Sequence, residues 1–262
     1  MNRSRWVLAA LLLLILPGLV LIGVAVYRPQ TSAAQRAIAE PTAAAPARPA
    51  TQPDRSTRVE KITYPARGSA DWNIAPGATQ TAGRSGDLLR YRVLVERDIG
   101  GVSPAAFAKE ASAALDDPRG WTADGSLRLR RVGPGQSYDF TIYLATPRTR
   151  DALCKYGADS YTSCRLEDDV VINVARWAKG VPDYGAALPA YRQYVINHEV
   201  GHRLGYNHEK CPGKGEPAPV MQQQTLGLHG CEANSWPYRD GKRYSGEPGQ
   251  YDDPVPEPEG AR

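Results

Sequence analysis

Histidine is scarce in this chain, with four copies in 262 residues, and methionine is scarcer, with two including the initiator. Internal repetition is absent: no segment recurs with a period of about 20 to 50 residues, which excludes solenoids and propellers built from stacked copies. A concentrated basic surface is missing too. The net charge of +4 combines a basic N-terminal stretch with an acidic C-terminal one, leaving little excess between them. That is too little for the electrostatic footprint of a nucleic-acid binder, so no nucleic acid is expected among the partners. Both ends also lack the apolar patterning that builds a core, so one folded domain smaller than the chain is the economical count.

At the N-terminus, Arg3 and Arg5 precede an uncharged run from Trp6 to Tyr27, rich in Leu, Ile and Val and closed by Arg28. An apolar run of about 20 residues spans a bilayer. A cleavable leader would have a shorter core and a small-residue cleavage site. Residues 1–28 therefore read as a transmembrane signal-anchor, a single-pass contact with the lipid bilayer. The two arginines place the start inside and the rest of the chain outside the cytoplasm; cleavage of the segment would make the protein secreted. Residues 29–56 form an Ala/Pro-rich linker whose composition cannot offset its ordering entropy. Residues 246–262, rich in Pro, Gly, Asp and Glu, show no periodicity and read as a disordered acidic tail, leaving 57–245 as the folded domain.

Four cysteines fall into two sequence-local pairs, Cys154 with Cys164 and Cys211 with Cys231. Outside the cytoplasm disulfides are the default reading, although three pairings remain open. Local pairing would stabilise the fold by about 3 kcal/mol per bridge. Alternation of apolar residues predicts strands over 88–99, around Leu127 and Leu129, over 138–145 and over 168–175. Ser103 followed by Pro104 looks like a helix start, with good helix formers from Ala105 to Leu115. Residues 188–204 have helical length and spacing, so an α+β core follows.

The chemistry is concentrated in the segment from His198 to His208, which holds three of the four histidines. On a helix, residues four apart share a face, so His198 and His202 can aim at one metal ion. Glu199 is rotated by about 100° from His198, placed to act as general base beside the ion without ligating it. Gly205 can take a left-handed conformation, end the helix and return His208 to the same point. Three neutral imidazoles leave a fourth position open, as catalytic zinc sites do. Cys211, close to His208, has a second reading as a thiolate ligand or inhibitory thiol.

This pattern, His-Glu-x-x-His-x-x-Gly-x-x-His, resembles that of the metzincin clan of zinc peptidases at every fixed position. The resemblance implies a metzincin-like (zincin) catalytic domain: a mixed twisted sheet, an active-site helix and a methionine turn beneath the metal. Met221 is the natural turn residue, and Cys211 and Cys231 flank it. An antiparallel edge strand is implied along the cleft, and residues 168–175 occupy its place. Also implied are Zn2+ as cofactor, a peptide or protein substrate, and hydrolysis with Glu199 as base. The chain departs from the clan after the turn: no long C-terminal helix follows, and Gln223 stands where some members carry an oxyanion-supporting tyrosine. Tyr206, Arg203 and Tyr191 are the candidate substitutes. The stretch from Leu115 to Trp121, with the anchor and linker, resembles the actinobacterial domain-of-unknown-function family numbered 3152 over most of residues 59–245. Two other functions stay open: a zinc-stabilised surface binding domain without catalysis, and a zinc amidase acting on cell-wall peptides.

Overall fold

The computed structural model of the protein describes residues 61–155 and 159–257. In chain order they form β1 (Trp72–Ile74), β2 (Asp87–Glu96), α1 (Pro104–Leu115), β3 (Leu127–Arg131), β4 (Phe140–Ala145), α2 (Pro147–Cys154), β5 (Cys164–Leu166), β6 (Asp169–Asn173), α3 (Val174–Lys179), α4 (Leu188–Arg203), β7 (Tyr238–Arg239) and β8 (Lys242–Arg243). The signal-anchor and the linker lie outside the described residues, as does the end of the tail. Among the described residues no helix is long and apolar enough to cross a membrane.

The main sheet runs β1-β2-β4-β6-β5, with β3 also paired to β2. Strands β3, β2, β4 and β6 are mutually parallel, while β1 and β5 pair antiparallel with their neighbours. The result is a twisted mixed sheet in an α+β arrangement. Successive side chains point to opposite faces of a strand. Tyr91, Val93, Ile142, Leu144, Val170 and Ile172 accordingly join Phe107 and Leu115 of α1 and Val195 and Val200 of α4 in the main core. Leu94, Tyr143 and Val171 join Cys154 of α2 in a smaller cluster on the other face.

Local signals explain the helix starts. Ser103 Oγ accepts the Ala106 N–H at 3.1 Å, and Pro104 opens α1, so the expected cap is formed. At the start of α2 the capping comes from afar. The buried Glu96 carboxylate accepts the Thr146 N–H and the Thr149 hydroxyl, each at 2.7 Å. Helix α4 is not held by propensity, since Gly201 costs about 1 kcal/mol relative to alanine. Burial outweighs this: Tyr191, Val195, Ile196 and Val200 are each at most 1% exposed, and every such side chain contributes roughly 1.5–3 kcal/mol.

Both disulfides join the sequence-local pairs, with Cα atoms 6.2 Å apart for Cys154–Cys164 and 5.9 Å apart for Cys211–Cys231. Among the described residues no cysteine is free, which corrects the second reading of Cys211 as a thiolate.

Two further expectations are corrected. Residues 168–175 do not form the sheet edge: β6 lies between β4 and β5, and the antiparallel edge strand is β5. The run Val170-Val171-Ile172 is buried on both faces, as suits an inner strand, whereas β5 is too short to show a period. Val174 and Ala175 leave the strand because the Asn173 side chain accepts the Ala175 N–H and starts α3. The second correction concerns the acidic tail, whose residues 246–253 dock on the domain. They do so through backbone hydrogen bonds, polar side-chain contacts of Gln250 and Asp253 and one ring stack, which leave no trace in hydropathy.

Candidate metal centre

His198 and His202 lie on α4, and His208 follows the turn that ends it. Gly205 makes that turn with φ 94°, in the left-handed region where a side chain would be strained. The chain then reverses, and His202 Nε2 lies 3.2 Å from His198 Nε2 and 3.1 Å from His208 Nε2.

These contacts are not hydrogen bonds. The three Nδ1 atoms face acceptors only: Val220 O at 2.8 Å for His198, Tyr206 O at 2.8 Å for His202, and Gln250 Oε1 at 2.9 Å for His208. Each Nδ1 therefore carries the proton, and each Nε2 presents a lone pair. Three lone pairs converging on one point repel unless a cation sits among them. His198, His202 and His208 can thus hold a metal ion, and an all-imidazole donor set suits zinc, copper, iron or nickel. Burial keeps the rings neutral and ready to ligate: it lowers His198 well below the usual histidine range, brings His202 to about 4 and lowers His208.

Below the helix, Pro219–Gln222 form a tight turn in which the Gln222 N–H donates to Pro219 O at 2.9 Å. Val220 of this turn supplies the carbonyl for His198, and Met221 is fully buried against α4. Gly201 makes that approach possible. A Cβ there would lie 2.4 Å from Met221 Sδ and 2.6 Å from Trp121 Cζ2, closer than side-chain contacts allow. Trp121 also pins the helix, its indole N–H donating to Asn197 O at 2.9 Å. The Cys211–Cys231 bridge ties the segment after His208 to the one after the turn.

The site opens into a cleft of about 550 Å³ lined by the three histidines, Glu199, Tyr194, Tyr206 and Gln223, with Cys164 and Arg165 of the edge strand. Arg165 is paired with Val170 across the strands, so it shares the sheet face that packs on α4. Glu199 is 5% exposed, and burial pushes its carboxyl up to about 8, with Arg150 pulling the other way and Asp159 adding to the rise. Of Tyr206, Tyr191 and Arg203, Tyr206 lines the cleft, stacked on Trp121 at 4.5 Å. Tyr191 is turned to Thr225 Oγ1, and Arg203 is paired with Asp168, 2.9 Å away.

Sequence reasoning missed two groups here. Arg150 is buried in the cleft wall, 3.0 Å from both Asp151 and Asp159, with Nη2 donating to Thr162 Oγ1 at 2.8 Å. Its polar helix, PRTRDALC, reads as solvated, and nothing local signals a buried arginine. Gln250 falls in the acidic tail, whose sequence shows no apolar periodicity.

No curated protein and no solved structure matches this chain. The family described as "Protein of unknown function (DUF3152)" matches residues 59–240, and the chain belongs to that family.

Proposed function

We propose that this chain is a zinc-dependent metalloendopeptidase of the metzincin type, held outside the cytoplasm by its N-terminal segment and acting on peptide or protein substrates. The observation that carries the reading is the convergence of three Nε2 lone pairs, with His202 Nε2 3.2 Å from His198 and 3.1 Å from His208, beside a buried glutamate in an open cleft. Zinc–nitrogen bonds of about 2.0–2.1 Å at tetrahedral angles put ligand nitrogens roughly 3.3 Å apart, so the spacing fits. Two disulfides and the apolar run from Trp6 to Tyr27 support the extracytoplasmic location.

His198, His202 and His208 would hold the ion, which supplies Lewis acidity toward a carbonyl oxygen and toward water. Glu199 accepts a proton from the attacking water as the new C–O bond forms. It then delivers that proton to the amide nitrogen as the C–N bond breaks. Its burial favours the protonated state between the two transfers. Strand β5 ends the sheet, and an extended peptide can add to it as a further strand and lie across the cleft.

The test uses the full chain, produced in an oxidising compartment and purified in detergent, with zinc content and peptide-library cleavage measured. Wild type and Glu199→Gln should both carry stoichiometric zinc, and the variant should cleave slower by about 10²-fold or more. Zinc without cleavage by either protein would favour a binding domain, and cleavage confined to cell-wall peptides would favour an amidase. A wild-type chain without zinc would overturn the proposal.

A further inference from the structure

The three histidines are not oriented alike. His198 and His202 give their Nδ1 protons to backbone carbonyls that follow from the helix and the methionine turn. His208 has left the helix, and its Nδ1 is met by a side chain from 42 residues further on, Gln250. We propose that Gln250, presented by a strap of residues 246–253, is a positioning residue that fixes the tautomer and ring orientation of His208 and so tightens metal binding. This rests on the reading that the three histidines hold zinc. It goes beyond the family match, which ends at residue 240.

The strap is built to hold this residue in place. Its backbone pairs with the segment carrying His208: the Lys210 N–H donates to Glu247 O at 2.8 Å and the Gly249 N–H to His208 O at 2.9 Å, around an antiparallel bridge between Glu209 and Pro248. The approach requires glycine at 246, where a Cβ would lie 2.0 Å from Lys210 O. Beyond Gln250 the strap is anchored again. Tyr251 stacks on His229 with ring centroids 3.5 Å apart, and His229 Nε2 lies 2.8 Å from Asp253 Oδ2. The fourth histidine, outside the metal motif, thus serves the strap. Gln250 is therefore gripped on both sides while its side chain meets His208. Partners of this kind orient a ligating imidazole and raise its basicity.

The full chain and the variants Gln250→Ala and Gln250→Glu would be compared by zinc affinity in chelator competition, by the visible spectrum with cobalt(II), and by thermal unfolding without metal. Gln250→Ala should weaken zinc binding about tenfold, at the low end for such partners because water can reach the exposed site. It should also shift the cobalt bands. The metal-free midpoint should not move, because Gln250 is exposed. Gln250→Glu should restore the affinity, its carboxylate accepting from the same Nδ1. Zinc affinity of Gln250→Ala within about twofold of wild type would overturn the inference alone, since outer partners of consequence change it more. A wild-type chain that binds no zinc would sink the proposed function and this inference together.

Discussion

Helix α4 and the loops that follow it supply one cluster by different means. On α4, His198, His202 and Glu199 are set by the pitch of a helix whose buried residues anchor it to the sheet. After Gly205 the described chain contains only a short β7–β8 hairpin, yet it must place His208, Met221 and Gln250 just as firmly. It does so with a disulfide, a tight turn, a glycine-permitted contact and a strap. Regular structure supplies rigidity through a repeating hydrogen-bond ladder, whereas irregular structure needs a separate device at each point.

The largest expected effect breaks the helical side. His202 Nε2 is within 3.2 Å of both other Nε2 atoms, so His202→Ala should abolish stoichiometric zinc binding. His208→Ala should leave weak binding, because His198 and His202 still share one rigid turn. Chelator competition on the pair measures how much the loop adds. Equal loss in both would mean that the helix confers no advantage.

Next comes the disulfide that closes the loop region, spanning a sequence separation of 20. Replacing Cys211 and Cys231 by serine should cost about 3 kcal/mol by the loop-entropy account. Denaturant melts would show it, along with a lower zinc affinity. Serines at Cys154 and Cys164 should cost less, since that bridge spans a separation of 10, and should spare the metal.

The smallest effect sharpens the contact between the two regions. Gly201→Ala places a methyl group where Met221 and Trp121 already pack. Alanine's better helix propensity returns about 1 kcal/mol, while overpacking costs roughly 1–3 kcal/mol. A net destabilisation of about 1 kcal/mol is expected, with the thermal midpoint as readout. A stabilised variant would show that the turn yields and that Gly201 is no constraint.

The sequence carried the α4 half of the site far better than the loop half. Spacing of four along a helix is a local property, so His198, Glu199 and His202 were legible at once, and the glycine before His208 pointed to its turn. Strands β2, β4 and β6 announce themselves by their apolar residues. Strand β5 does not, because three residues hold no period, so the sequence does not show where the sheet ends. Arg150 escaped because its contacts with Asp159 and Thr162 form only once the chain after α2 folds back on it.

By itself the sequence determined helices α1 and α4, the strands β2, β3, β4 and β6, and the three imidazoles with the glutamate beside them, since each depends on residues within a few turns of one another. Tertiary structure decided the rest. It chose the edge strand, it sank Met221 and Trp121 onto Gly201, and it brought Gln250 to His208 across 42 residues. Those choices depend on pairing energies between distant segments, and such energies exist only once the chain has closed its loops.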